Sequence, residues 1–213
     1  MAECSPPDVR VVLANTGRAF GRRWAFRGVT AQVRSGGVLA ITGPNGSGKS
    51  TLLRVISGLL LPTTGTVDVV FGGVHCDAAS RRALIGYAAP EAALYGELSG
   101  VENLKFFARL RGHRLCREDL AAALSQVGLL GRGRDRVADY SSGMRHRLKL
   151  AAAAICQPAL LLLDEPGSNL DAEGLECARG LVERQRTRGI TVLATNDPRE
   201  AAWADEIVRL GGD

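Results

Sequence analysis

Eight consecutive residues, Gly43, Pro44, Asn45, Gly46, Ser47, Gly48, Lys49 and Ser50, fit the phosphate-loop pattern G-x-x-x-x-G-K-[ST], with Thr51 directly after them. The three glycines let the backbone curl so that successive N–H groups face phosphate oxygens. A helix opening at the end of the loop adds its positive end. In that chemistry Lys49 bridges the β- and γ-phosphates as a mobile point charge, and the Ser50 hydroxyl ligates magnesium. A second constellation lies 115 positions beyond Lys49, where Leu160 to Leu163 run straight into the adjacent carboxylates Asp164 and Glu165, ahead of Pro166. Neighbouring side chains on a strand leave on opposite sides, so the two acids are assigned different work. Asp164 holds the magnesium ion, directly or through water, and Glu165 polarises the attacking water as general base.

These residues need a scaffold, and the apolar patterning supplies one. Residues 37–42 read as a buried strand that feeds the loop, and residues 50–58 as the helix that follows it. Short strands are predicted at 9–13 and 29–33, with the glycine-containing segment 17–28 between them, and further strands at 66–71 and 84–88. Helical spacing prevails from 101 to 127 and again over 142–156. The leucine run 160–163 is a strand buried on both faces, as a parallel sheet requires. A helix over 171–188 and a buried strand at 190–194 follow. The predicted fold class is α/β: a phosphate-loop NTPase core with a mainly parallel sheet, an N-terminal antiparallel β subdomain and an inserted α-helical subdomain. The core takes in residues 1–87 and 159–213, and the helical subdomain residues 88–158.

Composition narrows the class further. At 213 residues, 46% hydrophobic and 23% charged, the chain is sized for one globular domain with its own core, which excludes disorder as the main state. Its longest apolar stretch, Leu150 to Leu163, has 14 residues and is interrupted by Gln157 and Pro158, short of the roughly 20 that a membrane-spanning helix needs. The first eight residues lack the basic stretch and apolar run of a secretory signal, so a cytoplasmic chain is expected. Five scattered cysteines, at 4, 76, 116, 156 and 177, form no Cys-x-x-Cys pair and predict neither a disulfide framework nor a zinc site. The net charge is +5, and the segment 88–158 carries 11 basic against 7 acidic residues. The excess therefore falls on the helical insert, and charge alone leaves nucleic acid and membrane surfaces equally open; it is the motifs that lead to the expectation of no nucleic-acid partner.

With these motifs in order, the chain resembles over nearly its whole length the nucleotide-binding subunit of an ATP-binding-cassette (ABC) transporter, and in its compactness the small heme-exporter type. Tyr140, Ser141, Ser142, Gly143, Met144 and Arg145 stand where the family has its Leu-Ser-Gly-Gly-Gln signature. Ser141 and Gly143 are kept, while Tyr140, Ser142 and Met144 depart from it. The resemblance implies that Ser141, Ser142, Gly143 and Met144, at a helix start, meet the γ-phosphate held by the other subunit of a pair. Phe20, 29 positions before Lys49, resembles the aromatic residue that stacks on adenine, with Trp24 as the competing candidate and a plain core role as the alternative. Ser168, Asn169, Leu170 and Asp171 resemble the loop in which Asp171 couples the two sites, and Pro90–Glu91 with the segment after Leu98 resembles the link to a membrane partner.

Two departures bear on chemistry. Glu91 stands where the family usually has a glutamine that reaches magnesium and the attacking water. The glutamate keeps an oxygen ligand but brings negative charge near the γ-phosphate. Asn196 stands where the family has a histidine contacting the γ-phosphate. It can donate one amide hydrogen bond without carrying a charge, or it can cap the helix beginning near Pro198. Slow hydrolysis with retained binding is expected. The resemblance implies ATP and Mg2+ as cofactors, a head-to-tail homo- or heterodimer, and an integral membrane permease that holds the chain peripherally on the cytoplasmic face. The competing functions are a regulatory ATP-binding module with little turnover, and a soluble ABC ATPase of translation or DNA repair.

Overall fold

The computed structural model describes residues 8–211. The expectations about the N-terminal leader and Cys4 lie outside the described residues. Val9, Val11 and Leu13 are buried between less buried neighbours, the pattern of a strand with one face on a core. They open β1 (Val9–Phe20), which pairs antiparallel with β2 (Arg23–Arg34). Both strands run far beyond the predicted 9–13 and 29–33, and the segment expected to separate them is itself a hairpin. Register shifts between Leu13, Thr16, Arg18 and Ala19 break the apolar alternation, so the extension left no periodic signal. With β4 (Thr64–Phe71) and β5 (Val74–His75) these strands make an antiparallel sheet in the order β2-β1-β4-β5.

The second sheet is parallel throughout, in the order β6-β7-β8-β3-β9. Its strands are β3 (Val38–Thr42), β6 (Ile85–Ala88), β7 (Leu160–Asp164), β8 (Ile190–Thr195) and β9 (Glu206–Arg209). Successive residues serve opposite faces. Leu39, Ile41, Leu160, Leu162 and Val192 join the core shared with the antiparallel sheet and with α1 (Lys49–Ile56). Val38, Ala40, Leu161, Leu163 and Leu193 join a second core, covered by α3 (Gly100–Leu110), α4 (Arg117–Gln126), α5 (Ser142–Ala154) and α6 (Ala172–Arg186). This double burial is why β7 and β8 read as unbroken apolar runs.

The helical pattern over 101–127 is two helices, because the chain turns at Gly112 with a φ of 78° and restarts at α4 with Cys116 as N-cap. Three elements show no apolar stripe in the sequence for one reason: α2 (Ala78–Leu84) has no buried residue, β5 is exposed, and edge strand β9 is mostly exposed. Among the described residues no helix is long and apolar enough to cross a membrane.

Candidate active site

β3 lies inside the parallel sheet, and its carboxyl end opens into loop 43–48 and then α1. Ligand crevices in such sheets form at these ends. Two loop glycines are dictated by space as well as by dihedral angle. Gly43 (φ 146°) and Gly48 (φ 95°) would each place a Cβ against a backbone carbonyl oxygen, of Leu210 at 2.4 Å and of Ala25 at 2.5 Å. Lys49, only 6% exposed, donates from Nζ to the Gly43 carbonyl at 2.9 Å and to the Pro44 carbonyl at 3.3 Å, and lies 3.6 Å from Glu165 Oε1. The loop faces a cleft of about 530 Å³ whose lining includes Phe20, Trp24, Gly46, Lys49, Thr51 and Glu165. A larger groove of about 980 Å³ among α3 and α4 contains neither the phosphate-loop residues nor Asp164 or Glu165, so the smaller cleft is where the sequence-predicted residues converge.

Asp164 ends β7 and is 2% exposed, and neither carboxylate oxygen has a hydrogen-bond partner of ordinary geometry. Burial raises its pKa, partly offset by the nearby Ser50 hydroxyl and by the positive charges of Arg54 and Lys49. A buried carboxylate without partners beside a serine hydroxyl fits a hard divalent cation, so the residues present suit Mg2+. Glu165 comes next, but not by strand alternation. Its φ of 52° takes the chain out of the strand in a left-handed turn, while its N–H donates to the Ala194 carbonyl at 2.8 Å. That turn, rather than the pleat, parts the two acids. Burial raises the Glu165 pKa, with Lys49 opposing and Asp164 reinforcing the rise. The carboxylate sits at the cleft beside Lys49, where a base acting on a water aimed at a phosphate would stand.

Glu91 is placed otherwise than the sequence suggested. Its carboxylate pairs with Arg54 of α1 rather than with Ser50 or Asp164, and it is 54% exposed. Asn196 reaches the loop: its amide donates to Asn45 Oδ1 at 3.2 Å. The alternative helix cap at this point belongs to its neighbour Asp197, whose carboxylate accepts from the Arg199 N–H ahead of α7 (Pro198–Ala201). Phe20 and Trp24 both line the cleft and are both about half exposed, so neither is a core residue and either offers a ring face. Arg18 stacks on the Phe20 ring at 4.7 Å.

Ser141 caps α5 by accepting the Met144 N–H at 3.2 Å, and Ser142 and Gly143 stand in its first turn. None of these residues lines the cleft at the chain's own phosphate loop. Asp171 caps α6, accepting from Gly174 N–H at 2.8 Å. Three residues that sequence reasoning passed over also matter, and all act across long sequence separations that no local pattern reports. Arg54 holds Glu91. His146 Nε2 lies 2.9 Å from the Pro166 carbonyl and ties α5 to the turn after Glu165. Glu200, 3% exposed, accepts from the Gly167 N–H at 3.0 Å and fixes the same turn from the other side.

Comparisons with known proteins bear on the chain as a whole. The family model described as ABC transporter matches residues 26–168. The chain is 36% identical over 212 residues to the cytochrome c biogenesis ATP-binding export protein CcmA of Cupriavidus pinatubonensis, covering 98% of this chain and 93% of that protein. It is 38% identical over 197 residues to the daunorubicin resistance ATP-binding protein DrrA3 of Streptomyces coeruleorubidus, covering 92% of this chain and 62% of that protein. Among solved structures, an ATP-binding subunit of an ABC transporter superposes with a TM-score of 0.80 at 26% identity, covering 94% of this chain and 85% of that one. A dimeric ATP-binding cassette in a post-hydrolysis state with ADP and Pi shares the fold, with a TM-score of 0.80 at 24% identity and 94% of each chain covered.

Proposed function

The chain belongs to the ABC transporter family and has the function of its ATP-binding, ATP-hydrolysing subunit, and on that premise we propose which of its residues perform each step. One observation carries the assignment: a buried, unpartnered Asp164 carboxylate beside Ser50, at the sheet end where Lys49 meets Glu165. Residues 43–51 cradle the phosphates through backbone N–H groups, and Lys49 exchanges its bonds to the Gly43 and Pro44 carbonyls for phosphate oxygens. Ser50 and Asp164 hold Mg2+, which when bound neutralises phosphate charge. Glu165 takes a proton from the attacking water, and Asn196, poised over Asn45, donates its amide toward the γ-phosphate side of the loop. Phe20 or Trp24 stacks on adenine.

The signature segment Ser141–Met144 completes the site of a second chain, so two chains close head to tail with two nucleotides between them. Residues 88–158 form the helical subdomain that carries this segment, set against a core made of the rest. The pair attaches to an integral membrane permease on the cytoplasmic side, and the end-to-end match with the cytochrome c biogenesis export protein favours the compact export type. Purified chain is expected to bind ATP with magnesium, and Lys49→Ala to abolish that binding. Normal retention of Lys49→Ala on an ATP column would sink the assignment of the loop. Glu165→Gln is expected to bind nucleotide yet lose hydrolysis by about 10²-fold or more, and an unchanged rate would remove Glu165 as the base.

A further inference from the structure

Glu91 follows Pro90 in the stretch between β6 and α3 and meets two cations from two different helices. Arg54 of α1 pairs with its carboxylate, and Lys149 of α5 donates to the Pro90 carbonyl one residue earlier. The two helices begin at the two places where nucleotide phosphates are to be held. α1 opens at the phosphate loop, and α5 opens at Ser141–Gly143, about two turns before Lys149. We propose that Glu91 is the anion of a clasp in which Arg54 and Lys149 hold residues 90–91 between α1 and α5. The clasp fixes how the phosphate loop and the signature segment of one chain lie relative to each other. Arg54 and Lys149 are thus positioning residues, and Glu91 serves as their counter-ion rather than as a magnesium ligand.

The electrostatics support this placement. Burial works against the Glu91 charge, yet hydrogen bonding and the charges of Arg54 and Lys149 hold its carboxyl below the usual glutamate range. Glu91 disfavours the Asp164 charge and Arg54 favours it, so the two charges of the pair oppose each other at Asp164. The negative charge that a glutamate brings here is answered within the chain, and an uncharged glutamine could not be the anion of the clasp.

The inference rests on the paired-chain reading, and two measurements separate them. In the nucleotide-free chain, amide hydrogen exchange over residues 89–98 is expected to quicken in Arg54→Met and Lys149→Met, and unchanged exchange in both would overturn the clasp. In chains carrying Glu165→Gln, MgATP-driven dimerisation followed by sedimentation is expected to weaken roughly two- to fivefold with Arg54→Met, the range of an exposed ion pair. Glu91→Gln should add nothing to a chain already carrying Arg54→Met, and the reversed pair Arg54→Glu with Glu91→Arg should recover part of the loss. Fully additive losses would show two independent roles and refute the clasp. If the parent Glu165→Gln chain forms no MgATP dimer, the paired-chain reading fails instead, and the exchange measurement still decides the clasp.

Discussion

Glu200 shows how a residue outside every motif sets the conditions for those within it. Buried and hydrogen-bonded mainly on one side, it accepts the Gly167 N–H while its Oε2 has no partner of ordinary geometry. Burial raises its pKa, with the Thr195 hydroxyl and Gly167 opposing. A folded carboxyl with a raised pKa binds its proton more tightly than the unfolded chain does. Its contribution to stability is therefore present at acid pH and is lost as pH rises through the window between the ordinary glutamate value and the raised one. Glu200→Gln keeps an acceptor for Gly167 and removes the titration. Its Tm is expected to exceed that of the parent at pH 8 and to converge with it in acid, and a constant difference across pH would contradict this account. Asp164 and Glu165 share the sign, which is the stability cost that their proposed roles toward a cation and a water would carry.

The helices of the site are capped by the residues assigned to phosphate recognition and coupling. Asp171 accepts the Gly174 N–H and Ser141 the Met144 N–H, so each side chain is committed to its own helix before a second chain arrives. Asp171→Ala is expected to cost about 1 kcal/mol of stability, as loss of a cap does, whereas Asp171→Asn preserves the cap. If Asp171 also couples the two sites through its charge, Asp171→Asn should retain the parent's denaturation midpoint while hydrolysis falls. Equal activity in Asp171→Asn and the parent would confine the residue to capping. Ser142, exposed in the first turn of α5, allows the complementary change. Ser142→Glu favours the helix through its dipole but repels a phosphate brought to that end.

At the scale of the whole molecule, the segment Ser141–Met144 at the start of α5 does not line the cleft at residues 43–51. In the pairing proposed above, two chains related by a two-fold axis would each supply one half of both sites. Lys49→Ala and Ser142→Glu chains, each inactive alone, are expected to recover about a quarter of parent activity when mixed in equal amounts, since half of the dimers then carry one intact site. Failure of the mixture to recover activity would argue against the shared site. The sequence by itself determined the phosphate loop, the acidic strand and the buried parallel strands, because each is a contiguous run whose residue types carry their own chemistry or periodicity. It also determined the family, through the order of those runs. Only the tertiary structure decided what Glu91 touches, which residue caps α7, how Glu165 leaves its strand and how far the first hairpin extends. The partners of Pro90 and Glu91 and the acceptor of Asn196 lie tens of residues to more than a hundred away. A bulged strand or a left-handed turn is set by packing and not by the local alternation that a sequence displays.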